Sequence, residues 1–165
     1  MAEPTDSWMP LEQWHALVAG DDCPMCRAIG SEERIDAYGY TVADLQLSRL
    51  RLARNQWVPG YAVLICTRHV REPYHLELEE QSLFCQDLMR AADALDRVFR
   101  PDKMNLQILG NAIPHLHVHI VPRYHGDPAP GRPIDPHAEI RMLRANYYEK
   151  QARIIRGALK LAGQY

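Results

Sequence analysis

Three histidines, His115, His117 and His119, alternate along the apolar segment PHLHVHIVPR. A β-strand sends successive side chains to opposite faces. On a strand the three imidazoles project from one side, roughly 7 Å apart from one to the next. Leu116, Val118 and Ile120 then project from the other side and can be buried. A neutral imidazole is a good nucleophile near neutral pH, because its ordinary pKa is about 6.5. Attack on phosphorus gives a phosphoramidate bond that water or another acceptor later breaks, which splits one difficult displacement into two easier ones. His117, flanked by an imidazole on each side, is the natural nucleophile. His119 can donate a hydrogen bond to a phosphate oxygen or to the leaving bridge. The same pattern admits a rival reading, because three same-face histidines can reach one ion and form a catalytic metal site with an open position. A solvated histidine cluster with no task is the bland alternative.

A second group of residues has metal-ligand spacing. Cys23-Pro24-Met25-Cys26 is a zinc half-site, a redox pair or a coincidence. No strand precedes it, which weakens the redox reading. A zinc site needs two more ligands, and His69 and His115 are the candidates. Zinc is tetrahedral and accepts mixed sulfur and nitrogen ligands, so two cysteines and two histidines close its shell, which means structure rather than catalysis. With His115 on zinc, the metal anchors the start of the catalytic strand to the N-terminal turn. Cys66 and Cys85 stand alone in apolar stretches and read as buried fillers. His15, His75, His125 and His137 lack comparable context and read as surface residues, with His125 near the phosphate mouth because it follows the strand closely.

The wider segment NLQILGNAIPHLHVHIVPR resembles the histidine triad (HIT) superfamily of nucleotide hydrolases and transferases. The hallmark of that superfamily is His-x-His-x-His followed by two apolar residues. Here it reads from His115 to Val121, preceded by Asn105, Gly110, Asn111 and Pro114 and followed by Pro122 and Arg123. The resemblance runs from roughly Cys23 to Arg123. It includes VPGYAVLICTRHV, which is similar to the family's PGH-x-L-x-x-P-K-x-H segment, with Tyr61 in place of the first His and Cys66-Thr67 in place of Pro-Lys. The family's Gly-x-Ser/Gln segment before the triad is replaced by LGNAIP.

The resemblance implies a nucleophilic His117. It implies a zinc site of the bacterial HIT type, with Cys23, Cys26, His69 and His115 as ligands. Asn55, ahead of the Pro59-Gly60 turn, resembles the family's ribose-contacting position; Asn105 and Asn111 are suitably polar for ribose or phosphate. The implied activity is hydrolysis or transfer on a nucleoside phosphate ester or anhydride, a dinucleoside polyphosphate such as diadenosine tetraphosphate being the best single choice. A second class of function is a non-catalytic nucleotide-binding or interaction protein that keeps the fold.

These residues need elements to position them. A chain of 165 residues is expected to form one domain, 1–165, and can bury a sizeable core. Residues 1–21 carry Trp8, Leu11, Trp14 and Leu17 at helical spacing and predict a short helix or arm. Two short strands with a turn near Asp44 are expected next, then a buried strand in VPGYAVLICT. From Leu78 to Phe99 the period is helical, with Phe84, Leu88, Ala91, Leu95 and Val98 on one stripe; Glu79, Glu80, Asp87 and Arg90 fall outside it, and Pro101 ends the helix. MNLQIL and HLHVHIVP predict an antiparallel strand pair. Gly126 to Pro136 is proline-rich and reads as loop. The extension 136–165 regains helical spacing over 138–162, with Ile140, Leu143, Tyr147, Ile154, Leu159 and Leu161 available to pack. Strands with a long intervening helix predict α+β with a mainly antiparallel sheet. The resemblance implies the same fold, a HIT-like sheet of about five strands with a packed helix, paired as a homodimer.

Hydrophobic residues make up 47% and charged residues 24% of the chain, and the formal net charge is −2. Electrostatic capture of long nucleic acid is not expected. Glu3 and Asp6 interrupt the N-terminus, so it does not read as a secretion signal, and no apolar run reaches membrane-spanning length. A cytoplasmic location is the expectation.

Overall fold

Alternating apolar residues, Leu50 and Leu52 on one segment and Val118 and Ile120 on another, build one sheet and bury one side of it. The structure is a computed structural model, and it describes residues 8–162. The strands are β1 (Gly39–Asp44), β2 (Ser48–Ala53), β3 (Ala62–Cys66), β4 (Lys103–Ile108) and β5 (His117–Arg123). They run in the order β1-β2-β3-β5-β4, with every neighbouring pair antiparallel. Among the described residues four α-helices accompany them, α1 (Leu11–Ala19), α2 (Pro24–Gly30), α3 (Leu78–Phe99) and α4 (Ala145–Leu159), with one 3₁₀ turn at Pro73–His75. This is the α+β, five-stranded antiparallel architecture the sequence leads one to expect. Three expectations fall wholly or partly outside the described residues: the reading of Glu3 and Asp6, the first seven residues of the 1–21 arm, and the last three of the 136–165 extension.

Helix α3 forms where its apolar stripe recurs every three or four residues. Phe84, Leu88, Ala91 and Leu95 are buried against Leu50, Leu64, Val118 and Ile120 of the sheet. A capping box at Glu77 and Glu80 closes its first turn, and Pro101 follows its end. Asp87 does not decorate the solvent face as expected: it is fully buried. Its carboxylate accepts hydrogen bonds from Gln46 N (3.2 Å), Leu47 N (2.8 Å) and Ser48 Oγ (2.8 Å). The β1–β2 turn has backbone donors with no ladder partner, and Asp87 supplies the acceptor. Cys85, read as a filler, is exposed, whereas Cys66 is buried as expected.

Helix α4 starts later than its pattern implies. Residues 136–144 are extended or looped, because Asn55 hydrogen-bonds their backbone from the end of β2. The buried stripe is Tyr148, Ala152, Ile155 and Leu159, while Ile140, Ile154 and Leu161 are exposed. Helix α1 forms as expected, but Trp8 and Leu11 are also exposed, and only Trp14 and Leu17 are partly covered.

The opposite face of the sheet holds two of the three histidines. By strand alternation it carries Val63, Val121, His117 and His119. The proline-rich loop after β5 folds over part of it. Ala129 and Ile134 of that loop pack with Ala53, Val58, Tyr61 and Val121 in a second apolar cluster. Arg123 pins the loop by pairing with both carboxylate oxygens of Asp127 and donating to the carbonyls of Ala129 (2.6 Å) and Arg132 (2.8 Å).

Candidate active site and metal centre

His117 opens β5, and register sets it beside Ile65 of β3. His119 lies between Val63 of β3 and Gln107 of β4. His115 falls just before the strand, where Leu116 N bonds to Val70 O at 2.6 Å. The three rings do not share one centre. His117 Nε2 and His119 Nε2 face each other at 3.1 Å, whereas His115 Nδ1 faces the two cysteines.

Backbone carbonyls decide which nitrogens carry hydrogen. His117 Nδ1 is 2.6 Å from the His115 carbonyl, so Nδ1 holds the hydrogen and Nε2 keeps its lone pair. His119 Nε2 is then the donor in the contact between the rings, and His119 Nδ1 is an acceptor. The phenol of Tyr61, 2.6 Å from that Nδ1, supplies the hydrogen. One chain of donors therefore runs from Tyr61 through His119 to His117 and ends on a main-chain oxygen. Burial lowers the pKa of His117 and His119, and for His119 the neighbouring His117 and His137 add to the effect and bring it to about 4. Both rings are neutral near neutral pH, and His117 Nε2 carries a lone pair that faces the His119 N–H.

The same reasoning applies at the second group. His115 Nε2 is 2.8 Å from the Cys66 carbonyl, and His69 Nε2 is 3.1 Å from the Val18 carbonyl. Each Nε2 therefore carries the hydrogen, and each Nδ1 presents a lone pair. These two lone pairs meet at 3.2 Å, a repulsive arrangement unless a cation lies between them. Cys26 Sγ lies 3.3 Å from His69 Nδ1 and 3.5 Å from His115 Nδ1, and Cys23 Sγ lies 3.6 Å from His115 Nδ1. A tetrahedral zinc with ordinary bond lengths places two nitrogens about 3.3 Å apart and a nitrogen and a sulfur about 3.5 Å apart. The four distances above match those spacings, all four donor atoms lie within 4.8 Å of one another, and the donor set fits the metal. Burial, with Cys23 alongside, pushes the Cys26 thiol up to about 11 when no cation is counted, so a thiolate here needs one. Cys23 caps the N-terminus of α2 and Cys26 lies in its first turn, a helix where only a turn was expected.

The asparagines fall in different places. Asn55 is buried, and its amide is engaged internally with Pro136 O, Glu139 O, Trp57 N and Arg141 N. Asn105 accepts a hydrogen bond from Arg123 at 2.8 Å and buttresses the loop. Both lie beside a cavity wall or a loop rather than on the two facing Nε2 atoms; Asn105 lines a cavity of about 1020 Å³ along β4, with Lys103, Arg123 and His125. Asn111 is exposed in the turn before the triad. Three residues escaped the sequence reading. Tyr61 was visible only as a departure from a family pattern. His137 read as a surface residue, yet its Nε2 is 3.4 Å from the Tyr61 oxygen. Gln107, paired with His119 across the ladder, has a buried Nε2 with no hydrogen-bond partner. Alternation in MNLQIL was the one signal that pointed to Gln107.

The HIT domain family matches residues 36–126. No functionally curated protein matches the chain. Among solved structures, a histidine triad protein from Sinorhizobium meliloti 1021 is 24% identical with a TM-score of 0.69, covering 78% of this chain and 95% of that one. A histidine triad protein from Bradyrhizobium japonicum is 25% identical with a TM-score of 0.67, covering 78% and 96%. A zinc-bound histidine triad family protein from Mycobacterium smegmatis has the same fold at 20% identity and a TM-score of 0.59, covering 85% and 94%. No described helix is long and apolar enough to cross a membrane.

Proposed function

The chain belongs to the HIT domain family, and from that premise we propose that it cleaves a nucleoside phosphate ester or anhydride through a nucleotidyl intermediate on His117. The observation that carries this reading is the locked tautomer of His117, whose Nδ1 hydrogen is held by the His115 carbonyl so that Nε2 offers a lone pair. That lone pair attacks phosphorus, the P–N bond forms, and the P–O bond to the leaving group breaks. His119 Nε2–H, within reach of the same point, gives its proton to the departing oxygen. Water then cleaves the P–N bond and restores His117. The orphaned Gln107 amide supports the reading as a donor for a phosphoryl oxygen, in the manner of a preorganised oxyanion contact. A dinucleoside polyphosphate is the preferred substrate class. The outer strand β4 exposes Leu106 and Ile108, and Leu109 just after it is exposed too, which supports a second copy of the chain as the partner on that edge. Zinc on Cys23, Cys26, His69 and His115 has a structural role in this reading, because four protein donors leave no position for substrate. Two thiol ligands suit a reducing, cytoplasmic setting.

The test is incubation with a panel of nucleotides followed by mass spectrometry of the intact protein and its peptides. A nucleotidyl adduct on His117 is expected. Binding of nucleotides with neither turnover nor adduct would replace this reading with that of a nucleotide-binding protein.

A further inference from the structure

Tyr61 joins two imidazoles from distant parts of the chain. Its oxygen is 2.6 Å from His119 Nδ1 and 3.4 Å from His137 Nε2. The single phenol hydrogen goes to His119 Nδ1, which has no other donor to accept from. The remaining contact therefore has His137 Nε2–H donating to the phenol oxygen. The His137 ring stands edge-on to Tyr61, with centroids 5.7 Å apart, and it is exposed. A continuous line of hydrogen bonds thus leads from solvent to His117.

The outer end of that line is built, not incidental. Asp135 Oδ1 accepts from His137 N at 2.8 Å. Asn55 Nδ2 holds the carbonyls on either side of it, Pro136 O at 3.1 Å and Glu139 O at 2.7 Å. Ile134 and Pro136 are buried next to it. The inner end is fixed by Gln56, whose amide binds Ala53 O, Tyr61 O and Gly60 N and shapes the turn that delivers Tyr61.

We propose that His137 and Tyr61 form a proton relay between solvent and His119, one that reloads the acid during transfer to His117 and discharges it during hydrolysis. The relay rests on the nucleotidyl-histidine reading above. In the first half, His119 Nε2–H passes to the departing oxygen. The Tyr61 proton moves to His119 Nδ1, the His137 Nε2 proton moves to the Tyr61 oxygen, and solvent returns a proton to His137 Nδ1. In the second half, the attacking water gives a proton to His119 Nε2 as the P–O bond forms, and the electron pair of the P–N bond returns to His117. The Nδ1 proton of His119 then moves to Tyr61, the Tyr61 proton moves to His137 Nε2, and His137 releases its Nδ1 proton to solvent. Every ring ends as it began.

The need for a relay follows from burial. His119 resists a positive charge and so is neutral at the start, and a neutral ring that gave up Nε2–H would be left as an imidazolate unless Nδ1 were refilled at the same time. Burial, with Asp135 nearby, raises the Tyr61 phenol, which therefore passes one proton on while taking another and never ionises. His117 and Asp135 are the other titratable groups that face this line.

The experiment uses full-length, zinc-loaded protein and two AMP esters that differ in leaving-group basicity, the para-nitrophenyl and the unsubstituted phenyl ester. The nitrophenolate departs without a proton, and the phenolate needs one. The rates of phenol and nitrophenol release in a single turnover, which read transfer to His117 alone, should for Tyr61→Phe and His137→Gln fall about tenfold or more on the phenyl ester and stay within about threefold on the nitrophenyl ester. Imidazole in the buffer should restore His137→Ala in proportion to its concentration. A merely structural role slows both esters alike and resists rescue. Equal slowing of the two esters, or no slowing of either, would overturn the relay. Normal His117 adduct in those variants would localise that failure to the relay, whereas absence of any adduct in the wild type would overturn the nucleotidyl-histidine reading and the relay with it.

Discussion

His117 meets a main-chain oxygen at Nδ1 and an imidazole N–H at Nε2, and those two contacts give it one protonation pattern. His117→Ala is expected to remove turnover while the melting temperature changes little, and His117→Asn should retain bound nucleotide without reacting. Near-normal activity in a clean preparation of His117→Ala would end the nucleophile assignment. Acid stability is a second expectation at this scale. His119 has a pKa of about 4 in the folded chain, below its ordinary value of 6.5. Between those values the unfolded chain binds a proton that the folded chain does not, so the unfolded state gains as pH falls. The stabilisation is complete above about pH 6.5 and declines as pH drops towards 4. Thermal melts across that window should show His119→Gln losing less stability than wild type, because glutamine does not titrate. Parallel curves for the two proteins would contradict the assignment.

At the scale of elements, one buried carboxylate joins α3 to the β1–β2 turn. Asp87 accepts two backbone N–H groups and one hydroxyl, all from residues 46–48. Asp87→Ala strands those donors in a buried place, which costs about 3 kcal/mol. Asp87→Asn keeps the shape and should cost less, since its oxygen still serves part of the turn. Denaturant melts of both variants check the order; equal stability of Asp87→Ala and wild type would show that water satisfies the turn. Much of this element structure is legible in the sequence. The α3 stripe and the alternation of β5 follow from periods that sequence displays directly. Asp87 was misjudged because a carboxylate off the apolar stripe normally faces water, and the donors that draw it inward lie 39 to 41 residues away. The start of α4 differs from its pattern for a related reason: the helical spacing before Ala145 is overruled by three hydrogen bonds between Asn55 and Pro136 O, Glu139 O and Arg141 N.

At the scale of the whole molecule, the cysteine-histidine group gathers the start of α2, the segment after β3 and the approach to β5. Purified protein should contain about one zinc per chain, held by a closed tetrahedral shell. Cys23→Ser or Cys26→Ser should lose the metal and lower the melting temperature. His115→Ala should behave as these do, with partial activity left. His119→Ala should keep zinc and melting temperature while the chemical step slows by roughly 10²-fold. Elemental analysis, thermal melts and single-turnover rates on this set separate metal from chemistry. Loss of zinc in His115→Ala, His117→Ala and His119→Ala together would mean that the three histidines share one ion.

The sequence by itself determined the antiparallel α+β fold, the shared face of His117 and His119 and the membership of Cys23, Cys26, His69 and His115 in one candidate set. The fold and the face are consequences of local period, which a chain carries wherever it folds, and the complete ligand set is what the resemblance to the HIT family implies. Only the tertiary structure decided which nitrogen of each histidine bears hydrogen, that Asn55 spends its amide on a loop, and that Tyr61 reaches His137 across 76 residues. The physical reason is that a tautomer or a buried polar group is set by the acceptor it meets, and that acceptor is supplied by whichever segment packs alongside, not by its neighbours in sequence.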